Sequence, residues 1–271
     1  MHPDFFSIGP LSIHSYGVMM ALGFLAGLGN WIWLGRREGH SAQFCTDLMF
    51  WVMIGGIVGA RVAYVMENWP VYAADPASII RVDQGGLVFY GGFVAAAMAV
   101  VVFARRHRIP LARLTDFVVT SVPLSHALGR AGCFLNGCCF GGCASSAVPH
   151  VQFPQHSIPW YSQLREGVID SHAALSKPVH PVQLYEAGFN LVVYGVLVWL
   201  FRRKLRTGTV TGVYLVLYAI GRFALEFLRG DRADRLAVRQ FSIGQFVSIL
   251  VLAAGLAVLA VLRFTRGSVR K

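Results

Sequence analysis

Five charged side chains stand inside or against long apolar runs. Arg61 lies in GGIVGARVAYVM, Arg130 in SHALGRAGCFLNG, Glu186 follows HPVQLY, and Arg222 and Glu226 share GRFALEFLRG. In hydrocarbon such a charge costs at least about 2.5–3.5 kcal/mol, so it faces a partner or a polar cavity. Arg222 and Glu226 are four apart and share a helical face. One reading is a structural ion pair that ties helices together. The other is an anion site inside the bundle, because the arginines outnumber the carboxylates. Arginine suits phosphate, since its planar fork donates two parallel hydrogen bonds. A phospholipid headgroup is the anion most available at that depth.

Four of the five cysteines fall at Cys133, Cys138, Cys139 and Cys143. The spacing C-x4-C-C-x3-C is not that of common zinc sites. Three readings stay open: a disulfide staple in an oxidising compartment, free small residues, or a metal or redox site. Cys45 reads as a packing residue. His126 lies one helical turn before Arg130, and His180 precedes Pro181 at a helix start; imidazole suits either to proton transfer. His150, His156 and His172 read as surface residues. Gly55–Gly56 and Gly59 read as helix-packing positions. Gly85–Gly86 and Gly91–Gly92 flank Leu87–Tyr90, where backbone could approach a ligand.

The elements that must position these residues are membrane helices. Hydrophobic residues make up 55% of 271, charged residues 14%, against roughly 25% charged in ordinary soluble domains. Apolar runs fall near 13–34, 45–66, 86–104, 114–132, 182–201, 209–229 and 242–263. Spanning the hydrocarbon core takes roughly 17–25 residues as a helix, and lipid leaves open backbone groups unpartnered. The expected fold is therefore all-α: an integral membrane bundle of about seven transmembrane helices. We expect a single transmembrane domain over 1–271, with an outer loop at about 133–181.

The net charge of +11 does not point to nucleic acid, because the basic residues sit in short segments between apolar runs. Segments 35–44, 105–113, 202–207 and 264–271 fall on one side, which the positive-inside rule makes cytoplasmic. The N-terminus is then outside and the C-terminus cytoplasmic. Segment 230–241, with Arg232, Arg235 and Arg239, runs against that rule. No Lys or Arg precedes Arg36, so the first helix does not read as a cleaved signal peptide.

At these charges and glycines the sequence resembles a known family. Gly129-Arg-Ala-Gly-Cys-Phe-Leu-Asn136, with Gly141 following, is similar to the signature of prolipoprotein diacylglyceryl transferases, roughly G-R-x-G-N-F-x-N-x-E-x-x-G. Further segments match in order: Tyr16–Gly17, Gly59-Ala-Arg61 with Tyr64, Asp83 to Gly92, His180 to Glu186, and Gly221 to Glu226. The resemblance implies a bacterial inner-membrane enzyme with no cofactor and no metal. It implies transfer of the diacylglyceryl group of phosphatidylglycerol to the lipobox cysteine of a prolipoprotein signal peptide, with the lipid bilayer as medium and no nucleic-acid partner. Arg130, Arg222, Glu226 and Tyr90 become the candidate catalytic residues. Tyr16, Arg61, Asn136, Gly141, Gly91, Gly92, His180 and Glu186 become candidates for substrate binding. Three positions depart from the pattern: Cys133 stands for Asn, Cys138 for Glu, and Tyr90 for the His of His-Gly-Gly. A phenol is ordinarily a poor base near neutrality, so Tyr90 reads as a hydrogen-bond donor and the base is left open. Two rival functions remain: a thiol-redox or metal-handling protein built on the cysteines, which leaves the arginines unexplained, and an anion transporter, which lacks the internal repeat common in such folds.

Overall fold

The apolar runs end where caps and basic clusters end them. Ser41 opens the second long helix by accepting the amide of Phe44 at 3.1 Å, an N-cap interaction, and Arg36–Arg37 and Arg105–Arg106 close the helices before them. The computed structural model describes residues 4–8, 11–81, 85–145, 147–230 and 241–264. Strands β1 (Asp4–Ile8) and β2 (Leu11–His14) form an antiparallel hairpin. Helices α1 (Ser15–Arg37), α2 (Ala42–Glu67) and α3 (Trp69–Ala74) follow, then a 3-10 turn at Pro76–Ile80. Next come α4 (Phe89–Arg106), α5 (Leu111–Val118), α6 (Val122–Asn136), α7 (Ile158–Arg165), α8 (Val182–Arg202), α9 (Thr209–Glu226) and α10 (Ile243–Phe264). Among the described residues six helices, α1, α2, α4, α8, α9 and α10, are long and apolar enough to cross a membrane. Large apolar side chains such as Leu25, Val58, Phe93, Val192 and Leu250 lie exposed on them, as lipid-facing surfaces require.

Contacts divide the chain into two compact units, Leu28–Phe117 and the remainder. In the first, α2 and α4 meet along small residues. A Cβ built on Gly59 would lie 2.1 Å from Cβ of Ala95, and one on Gly91 would lie 2.3 Å from Cβ of Ala63. Only glycine allows that approach, and van der Waals packing then drives the pairing in lipid.

In the second unit α6, α8, α9 and α10 pack in series, with Val193, Leu197 and Val210 buried between α8 and α9. The segment after α6 folds back as an ordered layer. Val151 pairs with Val179 and Pro154 with Leu175, around Phe140, Phe153 and Val179.

Several expectations change. The run 114–132 is not one helix: it breaks at 119–121 into α5 and α6, neither long enough to span. Pro123 lies in the first turn of α6, where proline is tolerated and a continuous helix is not. At the break the Ser121 amide donates to the Val118 carbonyl at 3.2 Å, and Ser121 Oγ ties the turn to α1 by donating to the Gly27 carbonyl at 3.0 Å. A hairpin precedes α1, so the described residues are not purely helical. The stretch 67–85 holds α3 and a 3-10 turn, and the loop 133–181 holds α7. Asp83 of the matched motif, Arg232, Arg235 and Arg239, and the basic tail from 265 lie outside the described residues.

Candidate active site

Helix α6 carries His126 and Arg130 on one face, and α8 opposes it with Glu186, only 4% exposed. Arg130 Nε lies 3.0 Å from Glu186 Oε2, and His126 Nε2 lies 3.3 Å from Glu186 Oε1 and 3.2 Å from Arg130 Nε. An Nε2–H imidazole donates to the carboxylate; the other tautomer accepts from the arginine. Asn190 Nδ2 donates to the Glu186 carbonyl at 2.8 Å, one helical turn on.

A second ion pair sits at the end of α9. Arg222 Nη1 meets Glu226 Oε2 at 2.5 Å, Arg229 Nε approaches the same oxygen at 4.0 Å, and Ser242 Oγ donates to Oε1 at 2.6 Å. Ser242 also opens α10 with a capping box: its amide donates to Gln245 Oε1, and the Gln245 amide to Ser242 Oγ. Arg222 is within electrostatic range of Glu186, so the two pairs belong to one charged region. Neither the Nη atoms of Arg130 nor Nη2 of Arg222 engage a hydrogen-bond partner among the described residues.

The signature motif turns sharply after α6. Asn136 is its last residue and Gly137 follows at φ 76°, a left-handed conformation glycine adopts without penalty. The Gly137 amide bonds the Phe134 carbonyl and the Cys138 amide bonds that of Cys133, a Schellman motif. Cys139 continues the turn at φ 59°. The result brings Sγ of Cys133, Cys138 and Cys139 within 4.8 Å of one another. All five cysteines are free thiols, so the structure holds no disulfide staple. The neighbouring thiols of Cys133 and Cys138, with Arg130 and Arg229 in electrostatic range, lower the pKa of the Cys139 thiol. Gln183, fully buried, donates to the Cys138 carbonyl at 2.8 Å and so fixes the turn. Tyr16 packs against Gly132 and lies within electrostatic range of Cys133 and Arg130.

Beyond the turn, the Gly141 amide donates to the His180 carbonyl at 3.0 Å and the Gly142 amide to Leu228 at 2.8 Å. A Cβ on Gly141 would lie 2.5 Å from the His180 oxygen, which accounts for the glycine. Nδ1 of His180 and Oε1 of Gln183 are buried without a hydrogen-bond partner. The structure thus gathers Tyr16, Arg130, Asn136, Gly141, His180, Glu186, Arg222 and Glu226 in one unit. Sequence reasoning passed over Gln183, Asn190, Ser242 and Gln245. The S-x-x-Q box before an apolar run was a visible signal for the last two.

Arg61, Tyr90, Gly91 and Gly92 belong to the other unit. Arg61 donates to five backbone carbonyls, Ser78, Ile79, Arg81, Gly85 and Gly86, at 2.8–3.0 Å. A guanidinium has five N–H donors, so the backbone of 78–81 and 85–86 occupies its fork. Gly91 and Gly92 pack against α2. Tyr90, at the start of α4, is 64% exposed and stacks edge-on with Phe89.

Residues 3–261 match the family model described as prolipoprotein diacylglyceryl transferase. Among similar proteins, the phosphatidylglycerol–prolipoprotein diacylglyceryl transferase of Synechococcus elongatus is 36% identical, over 93% of this chain and 84% of the relative. That of Cupriavidus metallidurans is 34% identical over 99% of this chain and 97% of its own length, and that of Ralstonia pickettii 32% over 96% and 94%.

Proposed function

We propose a function from the premise that this chain belongs to the prolipoprotein diacylglyceryl transferase family: it is a multi-pass membrane transferase that moves the diacylglyceryl group of phosphatidylglycerol to a prolipoprotein. The acceptor is the lipobox cysteine of the signal peptide. Its sulfur forms a thioether bond to the glyceryl carbon that carries the phosphate. The carbon–oxygen bond to phosphate breaks, and its electron pair leaves with glycerol phosphate. The acceptor proton must be lost, because the thiolate and not the thiol is the nucleophile.

One observation carries this reading. Arg130 and Arg222 are each anchored to a carboxylate through one nitrogen, and their remaining donors are available to an anion. Donors fixed in advance around developing phosphate charge lower the barrier without reorganisation at the moment of reaction. Glu186 and Glu226 orient the two guanidinium groups, with Tyr16, Asn136, Gly141 and His180 lining the same region. Arg61, Gly91 and Gly92 shape the start of α4, and Tyr90 donates a hydrogen bond to the phosphate. The thiol-redox reading leaves the two anchored arginines without a task, and the transporter reading, which would use them, lacks the family match over residues 3–261.

The reading includes about seven spans in one transmembrane domain over 1–271, with α5 and α6 together crossing once. The N-terminus and the segment 133–181 face out of the bacterial inner membrane, and the C-terminus faces the cytoplasm. A family match running unbroken through both compact units supports the single domain.

The test uses the purified chain, labelled phosphatidylglycerol and a lipobox peptide. Wild type should yield lipidated peptide and glycerol phosphate. Lysine keeps the charge but not the fork, so Arg130→Lys and Arg222→Lys should each lose at least about tenfold, the equivalent of one lost hydrogen bond to a charged group, while still inserting. Near-wild-type turnover in either variant removes that arginine from the phosphate site.

A further inference from the structure

The family's usual base position is a tyrosine here, and two residues of its signature are cysteines. The two cysteines meet in space. Cys133 and Cys138 occupy the third-from-last and the returning position of the Schellman turn, the two places whose side chains that motif brings into contact. Cys138 Sγ lies 3.8 Å from the Cys133 carbonyl, and Cys139 adds a third sulfur within the same 4.8 Å sphere. Sequence spacing hides this arrangement, because common zinc patterns set the ligands two to four residues apart. A zinc–sulfur bond of about 2.3 Å places tetrahedral sulfurs roughly 3.8 Å apart, so a small inward rotation of the side chains completes the set.

We propose that Cys133, Cys138 and Cys139 bind a thiophilic divalent cation, with zinc as the fitting example, and that the acceptor thiol of the substrate is its fourth ligand. This rests on the transferase reading. Three protein ligands with one open position are the pattern of sites that act on a bound molecule rather than merely hold a fold. Cys138 and Cys139 are half-exposed, so the open position is reachable. Arg130 and Arg229 lie within electrostatic range of Cys139 and offset the negative charge of a thiolate-rich site. Gln183 holds the turn from below through the Cys138 carbonyl.

The chemistry balances without a protein base. A thiol that coordinates such an ion is deprotonated outright, and its proton goes to solvent. The bound sulfur attacks the glyceryl carbon, the carbon–oxygen bond breaks, and glycerol phosphate leaves with the electron pair toward Arg130 and Arg222. The thioether product carries no negative charge and is a weaker ligand than a thiolate, so it departs.

Cobalt(II) alone serves as the probe, added to the purified full chain kept reduced. One equivalent should bring up thiolate-to-metal charge-transfer absorption. A lipobox peptide should raise that band by about a third, as four sulfurs replace three in the tetrahedral set, and a peptide with serine in place of its cysteine should not. Cys133→Asn and Cys139→Ser should lose the band, and Cys143→Ser should keep it. Chelation of the wild-type enzyme should cut transfer at least tenfold, with zinc restoring it, a test that needs no variant. Absence of the band, a band indifferent to the peptide thiol, or a native disulfide among the three overturns the proposal. Transfer that depends on Arg130 but persists in chelator also overturns it, and leaves the transferase reading standing. A peptide-responsive band in a chain that transfers nothing supports the metal site and removes the transferase reading instead.

Discussion

Arg61 and Arg130 look alike in the sequence, each a lone arginine in an apolar run, and the structure gives them different surroundings. Arg61 is 7% exposed with its fork closed over five carbonyls, whereas Arg130 is anchored at Nε and keeps its outer nitrogens. Residue type and burial cost were readable from the run; which donors remain was not, because that depends on carbonyls 17–25 residues away in sequence. Tyr90 is the other residue where sequence alone misleads. It replaces the family's histidine, and its ring contact among the described residues is with Phe89, at 5.8 Å between ring centroids. In the proposed role of donor to the substrate phosphate it would contribute one neutral hydrogen bond, worth about 0.5–1.5 kcal/mol. Tyr90→Phe should therefore slow transfer by no more than about tenfold, with an unaltered pH–rate profile. A folded Tyr90→Phe enzyme with no detectable turnover would make Tyr90 an obligatory proton carrier.

Helix contacts show the same mixture at the scale of elements. The small residues of α2 announced close packing from the sequence, but their partner was not legible. The facing stripe on α4 begins at Gly91, which also belongs to the matched motif and so read as a ligand approach. Gly91→Val would drive a branched side chain into Ala63 and the Gly59 carbonyl, 2.3 and 2.6 Å from the new Cβ. Overpacking of this kind costs about 1–3 kcal/mol, and the midpoint of thermal unfolding in detergent should fall. Gly29→Ala on α1 meets nothing within 4 Å and removes only the glycine helix penalty, so it should leave the midpoint unchanged or raise it slightly. Equal midpoints for the two variants would mean that α2 and α4 do not pack as described. The broken helix at 119–121 was the larger miss. Apolar periodicity ran through it, and only Pro123 marked the boundary.

For the whole molecule, six of the seven hydrophobic runs were legible as long helices, and the topology rests on charge. The basic segments 35–44, 105–113 and 202–207 predict one cytoplasmic face. In a background with the five native cysteines replaced by serine, a membrane-impermeant thiol reagent on intact cells should label Ser171→Cys in the proposed outer segment and spare Arg106→Cys, both exposed sites. The reverse pattern would invert the topology and turn the site inward. The break between α5 and α6 bears on how the chain is made. In the proposed crossing by α5 and α6, the backbone ladder of segment 111–136 is interrupted at 119–121. Partners for the serines beside that opening lie on α1: Gly27 accepts Ser121 Oγ and Gly23 accepts Ser125 Oγ at 2.7 Å. Helix α1 emerges from the ribosome first, so these acceptors are already in the membrane when the interrupted segment arrives. In that crossing α1 would stand ready as a template for the interrupted segment, and a chain rearranged to begin at α6 would meet the lipid without these two acceptors.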